Sequence, residues 1–248
     1  VSATPVDPAA DPAAGLPADP PRAGPDGVVD LGFARVDTTR AARTGVAEVV
    51  LAAGKTPQQV VAVLAALRAA TPTRPALATR CDPATLDAVR AAFATETLTT
   101  DPAGRTVAVG PLPEAHGEVL LVSAGTSDLP VVEEAALTLA VLGVGCARLA
   151  DVGVAGLHRV LAVADAIAAA SVVVVAAGMD AALVPVVAGL TAAPVVAVPT
   201  SVGYGVAAGG SAAAASMLAS CAPGVGVVNI DNGFGAAVLA ARVLRAAR

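Results

Sequence analysis

Aromatic side chains are almost missing from this sequence. There is no tryptophan, and Phe, Trp and Tyr together make up 2% of its 248 residues, although 56% of the residues are hydrophobic. A core of bulky rings is therefore excluded. The interior must be built from Ala, Val and Leu in thin layers, which suits tightly packed α/β architecture. The length accommodates one large domain or two modest ones. Clustered positive charge is missing too: 15 Lys and Arg stand against 20 Asp and Glu, for a formal net charge of −5, and the cations are scattered. That excludes the electrostatic footprint of a DNA or RNA binder, so no nucleic-acid partner is expected. With two histidines, no His-based metal cage is possible. Three cysteines cannot all pair, and no basic, apolar and small-residue leader opens the sequence, so a reducing cytoplasm is the expected location. Long uninterrupted apolar runs are also lacking. The stretch from Val160 to Pro199 is broken by Asp165, Asp180, Pro185, Pro194 and glycines, and reads as buried parallel strands rather than a membrane span.

What is present falls into three parts. Residues 1–28, VSATPVDPAADPAAGLPADPPRAGPDGV, alternate Pro, Ala and Asp; they bury too little to offset ordering entropy and are expected to form a disordered tail. Residues 29–112 predict a small α/β domain. Its helices are expected over 37–43, 56–70 and 82–92, the second with Thr56 as N-cap and Pro57 at the first helical position, and its extended segments at EVVLA, PALATR, ETLTT and RTVAVG. Residues 117–248 then alternate regularly. Strands read EVLLVSA, CARLA, SVVVVAA, PVVAVP and VGVVNI, with helices over 129–142, 155–169, 181–190, 209–220 and 233–247. Five such units predict a flavodoxin-like three-layer α/β/α domain around a parallel five-stranded sheet. Ligands bind such sheets outside the carboxyl ends of the strands. The segments expected there are AGTSD, DVGVAG, AGMD, PTSVGYG and NIDNGFG, rich in glycine, hydroxyl and carboxylate groups. Together they point to a phosphate-bearing small molecule held by backbone amides, Ser and Thr.

The strings SAGTSDLPVVEEA, DVGVAGLHR, AGMDAALVPVVAGL, PVVAVPTSVGYG and SMLASCAPGVGVVNIDNGFGAA closely resemble the LarB family of pyridinium-3,5-biscarboxylic acid mononucleotide synthases, which opens nickel-pincer nucleotide synthesis. The N-terminal DTTRAARTGVAEVVLAAGKTPQQV fits the same family's signature, so the resemblance spans residues 30–248. The C-terminal half is similar to PurE, the aminoimidazole ribonucleotide carboxylase or mutase. The resemblance implies carboxylation of the pyridine ring of nicotinic acid adenine dinucleotide by CO2 or bicarbonate, then cleavage of the phosphoanhydride to release AMP. It also implies Mg2+ assisting phosphate binding and a homo-oligomer, the octamer of PurE-type sheets. A PurE-like aminoimidazole ribonucleotide carboxylase and a catalytically silent nucleotide-binding module are the alternatives.

By resemblance Cys221 is the covalent catalyst. A pyridinium ring is too electron-poor to attack CO2, but a thiolate added beside the ring nitrogen makes the neighbouring carbon enamine-like. Ala222, Pro223 and Gly224 are expected to keep its sulfur near the strand-end cleft. Cys81 and Cys146 read as buried filler. Asp180 stands where the family usually has Glu followed by Gly, and is either the base or a carboxylate at a helix N-terminus. Asp37, in DTTR, either completes the site from the N-terminal domain or caps the first helix. Ser127 and Asp128 fall where PurE-type loops hold ribose and phosphate. His158 and Arg159 are candidates for phosphate contacts, although a lone helical His is more often structural. Thr200, Ser201, Gly203, Tyr204 and Gly205 are expected to line the nucleotide. Lys55 reaches a phosphate or sits on the surface. Metal ligands are left unassigned beyond phosphates, water and at most one or two carboxylates.

Overall fold

The computed structural model describes Gly24 and residues 27–247. Most of the expected tail, residues 1–23, 25 and 26, lies outside the described residues, and Val28 already belongs to the first strand. Among the described residues, no helix is long and apolar enough to cross a membrane.

The N-terminal part opens with an antiparallel hairpin, β1 (Val28–Asp30) and β2 (Arg35–Asp37), followed by α1 (Arg40–Thr44). The helix expected from residue 37 therefore starts later, because Asp37 is paired with Val28 in the hairpin. A four-stranded sheet follows, made of β3 (Val50–Leu51), β4 (Ala76–Thr79), β5 (Leu98–Asp101) and β6 (Thr106–Val109) in the order β3-β4-β6-β5. Two helices cover one face. In α2 (Pro57–Ala70) the Thr56 hydroxyl accepts from Gln59 N–H while the Gln59 side chain accepts from Thr56 N–H, and in α3 (Pro83–Ala92) the Asp82 carboxylate accepts from Thr85 N–H. These caps satisfy amide donors that a helix start leaves open. Strand alternation then decides what each face covers. Ala76, Ala78, Val107 and Val109 face α2 and α3, whereas Leu77 and Ala108 face two helices of the C-terminal domain, one through Leu137 and the other through Phe234. The central strands β4 and β6 are thus buried on both sides, and the two domains share an apolar seam.

The C-terminal part contains β7 (Glu118–Ser123), α4 (Leu129–Val141), β8 (Gly145–Leu149), α5 (Leu157–Leu161), α6 (Ala164–Ala168), β9 (Val173–Ala177), α7 (Leu183–Ala188), β10 (Val195–Pro199), α8 (Ser211–Leu218), β11 (Val225–Val227) and α9 (Gly233–Ala246). Its five strands are all parallel, in the order β11-β10-β9-β7-β8, which is the flavodoxin-like arrangement. Val119, Leu121, Val174, Ala176, Val196 and Val198 bury against α4 and α9; Leu120, Val122, Val173, Val175, Val195 and Ala197 bury on the other face with Ile167, Leu183, Ala213 and Met217. Ala236, Ala237, Ala240 and Ala241 are fully buried on α9, so small side chains let it lie close on the sheet. Three helices differ from expectation, the one over 181–190 being shortened to Leu183–Ala188 after Ala181 takes a positive φ. The helix over 155–169 is broken after Leu161, where Val163 leaves helical geometry at φ −115° and ψ 13°. The helix expected from 209 starts at Ser211, because Gly209 and Gly210 both take positive φ.

Candidate functional site

All five glycine-rich segments emerge at the carboxyl edge of the parallel sheet, and β7 and β9 flank the switch point where chain direction across the sheet reverses. A cavity of about 440 Å3 opens there, walled by Gly125, Ser127 and Asp128 after β7, by Asp151 and Arg159, and by Gly178 to Leu183 after β9. A second cleft of about 250 Å3 adjoins it; Ser127 and Val202 line both. Backbone strain marks the same place. Among the described residues, six non-glycine residues have positive φ: Arg80, Arg105, Asp151, Met179, Ala181 and Asp231. Three line the cleft and three the cavity. Each costs roughly 1–3 kcal/mol, a cost that folds retain where a site requires it. The roughly 320 Å3 cavity between Gly45, Pro113 and Arg245, on the far side of the domain junction, contains none of them.

Asp128 anchors the cavity floor. Its carboxylate accepts from the buried Thr200 hydroxyl at 2.6 Å and from Gly125 N–H at 2.8 Å. Gly178 must be glycine, since a methyl there would lie 2.2 Å from the Val202 carbonyl oxygen. The neighbouring loops are tied in the same way. Ser201 N–H donates to Asp231 at 2.8 Å, Asp151 N–H to the Ser123 hydroxyl at 3.2 Å, and Arg159 pairs with Asp151 at 2.9 Å. Burial pushes the Asp128 carboxyl up, against the hydrogen bonds from Thr200, Gly125 and Gly178. Burial likewise raises Glu134, opposed chiefly by Arg80, whose Nε lies 3.7 Å away.

These shifts set a pH dependence. A carboxyl whose folded pKa lies above its unfolded value holds its proton longer in the native state, so ionising it removes stability as pH rises from about 4. The half-buried Asp37 and the exposed Asp82 carry the opposite sign, being lowered by their hydrogen bonds to Arg43 and Thr85 respectively. The difference between two melting curves isolates the buried group. Asp128→Asn, which resembles the protonated form, is expected to lose less melting temperature than wild type between pH 4 and 7. Parallel curves would remove Asp128 from this role.

The sequence-selected residues do not all meet here. Ser127, Asp128, Arg159 and Asp180 line the cavity, and Ser201 lines the cleft. The Asp180 carboxylate is exposed to the cavity and accepts from Ala182 N–H at 3.2 Å. Thr200 acts from beneath, through Asp128. His158 is exposed and lies outside the lining, because it points off the first turn of α5 while Arg159 turns inward. Gly203 backs closely onto the Ala207 carbonyl, and Tyr204 and Gly205 project outward with Tyr204 78% exposed. Lys55 sits on the N-terminal domain, its ammonium donating to the Leu51 carbonyl at 2.8 Å, away from both chambers. Asp37 caps no helix and lines neither chamber; it is ion-paired with Arg43.

Cys221 requires the largest correction. It follows α8 and precedes β11, whose first residue, Val225, is in register with Val195 at the start of β10. The thiol is therefore at the amino edge of the sheet, about 16 Å of strand away from the cavity in the same protomer. It is exposed. Cys81 is fully buried, with its thiol pushed up by desolvation to about 12, and burial also raises Cys146. Both stay protonated near neutral pH.

Residues 28–111 match the LarB/PurE-like N-terminal domain, and residues 118–248 match AIR carboxylase. The chain belongs to the LarB family. An uncharacterized protein of Methanocaldococcus jannaschii is 44% identical over 131 residues, 52% of this chain; the chain spans only 50% of that relative's length. Two crystal structures from Treponema denticola, of a substituted PurE2 and of PurE, align at 22% identity with TM-scores of 0.45 and 0.44. Each covers 54% of this chain, and the match spans 82% and 83% of the respective PurE chains. In this LarB-family chain, sequence reasoning missed Arg80, Arg105, Glu134 and Asp231. The first two belong to the N-terminal domain and reach the carboxyl edge only because that domain packs on α4, where Gly104 meets the Glu134 backbone closely enough that a methyl would lie 2.6 Å from its nitrogen. The one local signal, ATRCD, resembles any strand end followed by a helix cap.

Proposed function

We propose that this LarB-family chain carboxylates the pyridinium ring of nicotinic acid adenine dinucleotide and cleaves its phosphoanhydride, giving pyridinium-3,5-biscarboxylic acid mononucleotide and AMP. The observation that carries this reading is the cavity at the β7/β9 switch point, where Asp180 stands open beside hydroxyl and amide groups suited to a ribose phosphate. In the proposed reaction a Cys221 thiolate forms a C–S bond beside the ring nitrogen. The adjacent ring carbon, now enamine-like, attacks CO2; the Asp180 carboxylate takes the proton from that carbon, and expulsion of the thiolate restores the aromatic ring. Water then attacks phosphorus and AMP leaves. Asp37 is a poor base for this step, since its bond to Arg43 favours the unprotonated form. Among the described residues no group of three or more His, Cys, Asp and Glu side chains could hold a metal ion. A Mg2+ ion would take its ligands from substrate phosphates and water, with at most one or two carboxylates of the chain, and would offset phosphate charge.

Because Cys221 and Asp180 lie at opposite edges of one sheet, the reaction requires that one copy's thiol reach another copy's cavity. Large apolar groups left bare on the outer surface support such packing: Val206 is 98% exposed and Leu218 75%. Light scattering is expected to show an oligomer of PurE type, an octamer, at micromolar concentration; a monomer would overturn the shared site. The aminoimidazole ribonucleotide reaction is disfavoured because the cavity lining contains no histidine to move a proton. The direct test is mass spectrometry of products after incubating the full chain with the dinucleotide, 13C-bicarbonate and Mg2+. AMP and a labelled, doubly carboxylated mononucleotide are expected. An unconsumed dinucleotide overturns the assignment.

A further inference from the structure

The cleft beside the cavity joins the two domains. Arg80, Gly104 and Arg105 come from the N-terminal domain; Ser127, Glu134, Ser201 and Asp231 face them from the other. Arg80 is committed internally, donating to the Asp231 carbonyl at 2.7 Å and facing the buried Glu134. Arg105 is not. Its Nε donates to the Cys81 carbonyl at 3.0 Å and its Nη2 approaches the Arg80 carbonyl at 3.4 Å, which fixes the side chain from behind. It forms no ion pair within 4 Å among the described residues; the Asp82 carboxylate feels its charge without touching it, so the guanidinium is held in place without a direct carboxylate contact. Across the cleft, one Asp231 oxygen accepts from Ser201 N–H, and the other accepts no hydrogen bond among the described residues.

A lone anion is a poor match for this cleft, because Asp231 opposes it. A group bearing both a phosphate and a vicinal diol matches both sides: a guanidinium fork suits phosphate oxygens, and a carboxylate oxygen accepts from ribose hydroxyls. We infer that the interdomain cleft is a nucleoside 5′-monophosphate subsite, with Arg105 on the phosphate and Asp231 on the ribose. This inference deepens the proposed function, on which it rests for the dinucleotide: the pyridine nucleotide occupies the larger cavity, and the departing AMP half occupies the cleft that shares Ser127 and Val202 with it. The N-terminal domain then supplies one half of the substrate grip.

The test uses AMP and adenosine as probes, titrated calorimetrically into the full chain. Wild type is expected to bind AMP about tenfold or more tightly than adenosine, the effect of a charge-assisted contact. Arg105→Gln, with an unchanged melting temperature, is expected to erase that preference. Removing the ribose hydroxyls, as 2′,3′-dideoxy-AMP, weakens binding to wild type but not to Asp231→Asn. An AMP preference that survives Arg105→Gln overturns the subsite, as does wild type binding AMP and adenosine equally. Dinucleotide turnover is measured separately. Its absence alongside Arg105-dependent AMP binding sinks the carboxylation and leaves the subsite standing; normal turnover without such binding sinks only the subsite.

Discussion

Cys221→Ser is expected to reduce carboxylation of nicotinic acid adenine dinucleotide to background while leaving fold and assembly intact. The exchange is nearly isosteric at an exposed position, so it removes no core packing. The chemistry is lost because an alcohol is a far weaker nucleophile than a thiolate near neutral pH, and without the C–S bond the ring carbon never becomes electron-rich. Serine at Cys81 or Cys146 leaves turnover in place, since neither thiol reaches either chamber. Wild type mixed with NAD+, a pyridinium that cannot complete the reaction, is expected to develop a near-ultraviolet band from the dihydropyridine-like adduct, and Cys221→Ser is not. Wild-type turnover by Cys221→Ser would overturn the covalent mechanism. The geometry adds a sharper test. If a site draws Cys221 from one copy and Asp180 from another, assemblies mixing Cys221→Ser with Asp180→Asn chains recover about a quarter of wild-type sites, because that share pairs the two intact residues. A site confined to one protomer recovers nothing.

Asp180→Asn is expected to slow carboxylation by roughly 10²-fold or more with dinucleotide binding retained, the size of a lost general base. Asparagine keeps the side chain's length and can still accept from Ala182 N–H, so the strained loop Met179–Ala181 need not rearrange. What disappears is a group able to take the ring proton. The expected signature is a fall in kcat with KM near its original value. Asp180→Glu, which supplies the longer side chain usual in the family, retains the carboxylate and is expected to stay well above Asp180→Asn. Unchanged turnover in Asp180→Asn would assign the proton transfer elsewhere.

The inner strands β7, β9 and β10 were legible because each is an apolar run such as VVVVAA or VVAVP bounded by turn residues, and a strand buried on both faces has no other pattern to show. Their parallel order followed from the regular return of helical segments between them. The break after Leu161 was not legible, since it depends on how Val163 settles against the sheet rather than on any helix breaker. Asp37 was misplaced because its short hairpin is stabilised by Leu31 and Val36 packing into the N-terminal core, a contact invisible in DTTR itself. The family motifs located Ser127, Asp128 and Asp180, all of which lie at strand ends whose positions the alternation already fixes.

By itself, then, the sequence determined the two α/β domains, the layered core and the edge of the parallel sheet where five loops gather, because strand and helix periodicity and parallel connectivity are properties of local chain order. Tertiary structure alone decided which groups share a site. Arg80 and Arg105 sit more than a hundred residues before Asp231, and they join it only because the small sheet buries Leu77 and Ala108 against α4. The same geometry separates Cys221 from Asp180 by the length of a strand, since α8 runs back to the amino edge before β11 begins; spacing in the sequence does not record which edge a loop occupies once the chain has turned.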